Sequence, residues 1–183
     1  MSNDNNSQLA WLKIGIQTLD QIGWRALKIN DLCQQLKVTK GSFYHWFQSK
    51  RDYEMQVLGY WKQRFTQGFI DQAESGHSSR EKLSLLGQQI IQGALDGNRL
   101  EFEINAWAQQ DDEVKAFVTS VYEQRYAYLV RLLKDIYPDP QAVQKHSLTL
   151  YSLVIGIDLF YRRLSRAELE LIFEDYLVPV KKN

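Results

Sequence analysis

The chain has 183 residues, 22 Lys plus Arg against 22 Asp plus Glu, three Pro and a single Cys. One cysteine excludes an intrachain disulfide framework, no apolar run approaches the roughly 20 residues needed to cross a bilayer, and zero net charge excludes polyanion binding through bulk basicity. The length suits one medium domain or a headpiece of about 50 residues on a larger body.

Apolar residues recur at three- and four-residue spacing almost throughout, which predicts an all-α chain. A first helix is expected over residues 8–21 with Leu9, Leu12, Ile16 and Leu19 as its apolar stripe, ended by Gly23. A short second helix follows over 29–35, burying Ile29, Leu32 and Cys33. Leu36, Lys37 and Val38 form a turn, and Thr39 is a fitting N-cap for a third helix. Ser49 to Asp52 has the spacing of a capping box and starts a fourth helix running to about residue 73. Ser78 and Glu81 form a second such pair after a polar break, and Ser165 and Glu168 a third. Further helices are expected over 80–95, 99–109, 112–136, 140–164 and 166–177. Asp111, Asp112 and Glu113 suit a helix start.

The third helix carries the chemistry. Lys40, Gly41, Ser42, Tyr44 and His45 form a polar face while Phe43 and Phe47 turn toward a core, with Trp46 at core or rim. Such side chains suit phosphates and base edges. Gly41 costs about 1 kcal/mol of helix propensity relative to Ala, which points to something approaching the backbone closely. Between Trp24 and Arg51 stand Arg25, Lys28, Lys37, Lys40, Lys50 and Arg51, opposed only by Asp31. The cations therefore gather in the headpiece, and acids such as Glu101, Glu103, Asp111 and Glu113 lie elsewhere. Two short helices joined by a tight turn, the second with a polar outer face, read as a helix-turn-helix.

Residues 9–53, with Asp31-Leu32-Cys33, Val38 through Phe47 and Ser49-Lys50 in order, resemble the N-terminal domain of the TetR/AcrR family of transcriptional regulators. The Glu103 to Ala108 stretch and the helix from Asp112 through Leu129 also look like one branch of that family. The resemblance implies an all-helical homodimer, usually a repressor, whose larger C-terminal domain binds a small effector. The division expected is 1–50 for DNA binding and 51–183 for effector binding and dimerisation. Two positions depart from the family pattern: Leu27-Lys28 replaces the small hydroxyl residue that usually opens the second helix, and Asn105 stands where the branch often has Arg.

The DNA-contact candidates are Lys28, Thr39, Lys40, Gly41, Ser42, Tyr44, His45 and Lys50, with Tyr44 and Lys50 assigned to phosphates. Trp61, Phe65, Phe102, Trp107, Tyr122, Tyr126 and Tyr151 are candidates for an effector pocket, and for any one of them plain core is the alternative. Expected partners are double-stranded DNA with a palindromic operator, a second copy of the chain through the last two helices, and an apolar or aromatic small molecule. The apolar positions of those two helices, Phe160, Tyr161, Tyr176 and Leu177 among them, serve either a core or a dimer face. His77 and His146 lack metal-spaced partners, and no Gly-rich phosphate loop or nucleophile elbow occurs. No enzyme, cofactor or metal is expected. Met1–Ser7 lacks the pattern of a secretory signal, so the expected location is cytoplasmic. The competing reading is a helical ligand-binding or protein-interaction dimer without useful DNA affinity.

Overall fold

The computed structural model describes residues 7–97, 99–157 and 163–174, and among them every regular element is helical. The expected continuations over 158–162 and 175–177, with Phe160, Tyr161, Tyr176 and Leu177, lie outside the described residues. The chain forms two compact units, Met1–Arg64 with Arg99–Val118 and Phe65–Asn98 with Thr119–Asn183. This grouping differs from segments divided at residue 50, because residues 51–64 and 99–118 pack with the headpiece.

In the first unit, α1 (Gln8–Gln21) starts where Ser7 accepts a hydrogen bond from the Ala10 amide, and it ends at Gly23, whose φ of +102° suits glycine. A 3-10 turn (Trp24–Ala26) leads to α2 (Ile29–Leu36), α3 (Lys40–Trp46) and α4 (Lys50–Lys62). Helix α7 (Leu100–Ala108) packs on α1 although it lies far along the chain.

The inward face of α1 differs from the expected stripe. Trp11, Gly15, Ile16, Thr18 and Leu19 are buried, whereas Leu9 is 47% exposed. Positions 11, 15, 18 and 19 share one face at helical spacing, and the largest side chain on that face sets its direction. The Trp11 ring meets Phe43 edge-on at 5.4 Å, with Phe47 at 6.3 Å and Tyr53 at 6.4 Å. Leu27, Leu32, Val57, Leu58, Trp61 and Ile104 complete this core without solvent exposure. Ile29, expected inside, is only half-buried.

Beyond α4 the chain passes through a π-type turn (Gln63–Gln67) into α5 (Gly68–Ala73), so the expected single helix is interrupted in its winding. In the second unit α5 pairs with α6 (Ser79–Asp96), joined by a turn in which Ser78 caps the Glu81 amide and Glu81 reaches back to the His77 amide. Leu129, Leu132 and Leu133 of α8 (Asp112–Ile136), Val143 and Leu150 of α9 (Pro140–Ile157), and Leu169 of α10 (Arg166–Ile172) form its core with Ile91 and Phe173. Ser165 and Glu168 make the full reciprocal capping box. Leu164 is not helical, so the helix expected to reach it does not. No described helix is long and apolar enough to cross a membrane.

Candidate nucleic-acid interface

Helix α2 buries Leu32, Cys33 and Leu36 and ends at Lys37, which adopts a left-handed conformation with φ +56° and ψ +44°. The Lys37 amide donates to Gln34 O and the Val38 amide to Cys33 O, and these bonds close the turn. Left-handed geometry is costly for a residue with a Cβ, so the turn is held by its bonds and by the burial on either side. Cys33 is packed inside, and burial pushes its thiol pKa up.

Thr39 takes the N-cap position of α3 with extended backbone, yet its side chain makes no cap hydrogen bond. Lys28 occupies the N-cap of α2 and likewise makes none, as its replacement of a hydroxyl residue dictates. Helix α3 turns Phe43 and Phe47 into the core. On its other side Lys40, Gly41, Tyr44 and His45 are exposed, while Ser42 and Trp46 are half-buried. Tyr44 is 57% exposed and rests edge-on against Phe43 at 5.3 Å. A Cβ at Gly41 would meet nothing in the protein closer than Thr39 Oγ1 at 3.6 Å. Internal packing therefore does not require glycine there.

These side chains converge. Lys28, Ile29, Asn30, Lys40, Tyr44 and Lys50 line an open depression of about 300 Å³. Three lysines and a phenol around one concavity make a donor-rich site for phosphate oxygens. Sequence reasoning did not single out Ile29 and Asn30 as lining residues. Their places beside Lys28 at the start of α2 are the signal that was available.

Helix α4 begins with Ser49 accepting from the Asp52 amide, and Asp52 in turn accepts from the Gln48 amide at 2.8 Å. Lys50 Nζ donates to Glu54 Oε1 at 2.6 Å. Glu54 is 8% exposed, a buried acid that sequence reasoning missed although its spacing from Lys50 is that of a helical ion pair. Arg51, counted among the headpiece cations, is engaged elsewhere: Nη1 and Nη2 donate to the two oxygens of Asp111 at 2.8 and 2.7 Å, and Nε donates to Glu113 at 2.9 Å. The Arg51 bonds hold the Asp111 carboxyl below its ordinary pKa, and Asp111 in return raises that of the guanidinium. Asp111 also caps α8 by accepting from the Glu113 and Val114 amides.

The aromatic residues considered for an effector pocket separate. Trp61 and Trp107 are core of the first unit, Trp61 Nε1 donating to Glu101 and Trp107 stacking on Trp24 at 5.8 Å. Phe102 is 43% exposed. In the second unit Tyr126 and Tyr122 meet Tyr151 edge-on at 5.4 and 6.4 Å, and the Tyr151 hydroxyl donates to Tyr122 O. Phe65 pairs with Phe69 at 6.2 Å. Among the described residues no group of three or more His, Cys, Asp or Glu could hold a metal ion.

The order α1, α2, tight turn, α3, with α3 presenting its polar side, is a helix-turn-helix arrangement. Residues 12–52 match the family model described as bacterial regulatory proteins, tetR family. No protein of curated function matches the chain in sequence. Among solved structures, the reduced form of Escherichia coli NemR is similar with a TM-score of 0.76 and 20% identity, covering 96% of this chain and 98% of that one. A protein of Pseudomonas aeruginosa PAO1 assigned as a transcriptional regulator superposes with a TM-score of 0.70 at 14% identity, over 92% of this chain and 87% of that one. SCO7518 of Streptomyces coelicolor A3(2), with the same assignment, gives 0.65 at 15% identity, over 93% and 98%. Residues 12–52 are thus similar to the tetR-family model, and the chain as a whole shares the helical fold of these three structures.

Proposed function

We propose that this chain is a sequence-specific repressor of transcription that binds a palindromic operator as a homodimer and is released by a small-molecule effector. The observation that carries the reading is the depression in which Lys28, Lys40, Tyr44 and Lys50 meet. Tyr44 and the three lysines contact phosphates, and Lys40, with Thr39, Ser42 and His45 beside it, reaches base edges in the major groove. Gly41 lets the duplex approach the backbone.

The dimer reading is supported by apolar side chains in water on the last two helices: Leu148 is 53% exposed, Ile155 41% and Leu171 64%. Leu148 and Ile155 stand seven residues apart, two turns along α9, and exposed apolar side chains of this size suit burial against a second copy. The effector reading rests on the Tyr122, Tyr126 and Tyr151 group, beside which Arg125 lies 5.6 Å from the Tyr122 ring and donates to Thr66. A protein acting on chromosomal DNA in this way works in the cytoplasm.

Selection of genomic fragments by the purified protein tests the reading, with a Lys40→Ala, Tyr44→Ala variant as control. Enrichment of one palindromic motif, abolished in the variant, is the expected result. Absence of enrichment at low and moderate salt would overturn it.

A further inference from the structure

The first turns of α4 carry a ladder of alternating charge. Lys50 Nζ is 2.6 Å from Glu54 Oε1, Arg51 Nη1 is 3.6 Å from Glu54 Oε2, and Arg51 Nη2 is 2.7 Å from Asp111 and 2.8 Å from Glu113. The Glu54 side chain is only 10% exposed, so water cannot screen it and it faces two competing cations.

We propose that Asp111 and Glu113 are positioning residues for DNA contact by Lys50. This rests on the reading of Lys50 as a phosphate contact. A guanidinium matches a carboxylate through two parallel bonds, which an ammonium cannot do. Left alone beside Glu54, Arg51 would close on it and displace Lys50. Asp111 takes that two-bond pairing instead, Glu113 takes Nε, and Arg51 stands off Glu54 at the longer distance. Glu54 Oε1 is then left to Lys50. The ammonium has three donors, so one can hold Glu54 while the others point into the depression shared with Lys28, Lys40 and Tyr44. A lysine held in this way gives up less rotamer freedom when it meets a phosphate. The two carboxylates lie about sixty positions from Arg51 in sequence, and their part in the interface is visible only in the folded chain.

A double-mutant cycle on the full chain tests this, with mixed-sequence duplex DNA as the probe because a phosphate contact acts on every sequence. Lys50→Gln is measured in the parent and in an Asp111→Asn, Glu113→Gln background. Asn retains the capping oxygen at residue 111, and the cycle cancels the general effect of removing two negative charges. Lys50→Gln is expected to weaken binding in the parent and to cost roughly 3- to 10-fold less in the amide background, where the lysine is no longer restricted to one rotamer. An equal cost in both backgrounds overturns the linkage and leaves Lys50 as a contact. No cost in the parent overturns the reading of Lys50 itself. If the amide background melts early, Glu113→Gln alone, at the more exposed partner, serves for the same cycle.

Discussion

Gly15 and Tyr53 define how closely α1 and α4 approach: a Cβ at residue 15 would stand 2.5 Å from the Tyr53 hydroxyl and 2.7 Å from Val57 Cγ2. That hydroxyl donates to the Trp11 carbonyl at 2.9 Å and cannot swing aside without breaking a buried bond. Gly15→Ala is therefore expected to destabilise the protein by about 1–3 kcal/mol, the range for overpacking a close-packed interior. Urea unfolding measures it, and an unchanged midpoint would show that the two helices can part without cost.

Removal of one lysine from the depression should alter the salt dependence of DNA binding. Each phosphate that the protein no longer neutralises reduces the slope of log K against log salt by about 0.9. Lys28→Ala and Lys50→Ala are each expected to flatten it by about that amount on any duplex. Arg51→Gln is expected to leave the slope unaltered, because its guanidinium is committed to Asp111 and Glu113. A flatter slope for the Arg51 variant would return that residue to the DNA face.

Lys37 bears a left-handed backbone with φ +56° between the two helices of the motif. Lys37→Gly relieves the Cβ clash and gives back part of the gain as unfolded-chain entropy, for a net stabilisation of about 0.5–1 kcal/mol. A higher melting temperature is the expected result. A lower one would mean that the lysine stem contributes more packing than its exposure indicates.

Acid should loosen the second unit through Glu74. Bonds from Lys82 and then Tyr128 lower its pKa from 4.5 to about 2. A carboxyl depressed in the folded state stabilises above its unfolded pKa, and the contribution disappears as pH falls from about 4.5 toward 2. Glu74→Gln should flatten the fall in melting temperature over that interval and change little at neutral pH beyond a constant offset. A parallel acid limb in both proteins would assign the loss to other carboxylates.

Much of the fold was legible because its boundaries are chemical. Ser49, Ser78 and Ser165 make the caps their types predict, and Asp111 starts the 25-residue helix α8. The headpiece core through Phe43 and Phe47 followed from helical period. The stripe on α1 was misread because Gly15 and Thr18 do not count as apolar, although the close approach of Tyr53 and Val57 turns that face inward. The cations of the interface could be read from their neighbours in the chain, whereas Arg51 could not. Its partners are far along the sequence, and nothing local marks a pairing that only folding creates.

Gly15 and Gly41 belong to the same unit and answer to opposite masters. Residue 15 is hemmed by the protein, so its identity is set by folding, whereas residue 41 opens onto space that the protein leaves empty. A collection of substitutions at 41 would therefore remain folded while being sorted by whatever duplex it is offered. Under the proposed function, position 41 is accordingly where operator preference is expected to be redirected without renegotiating the core.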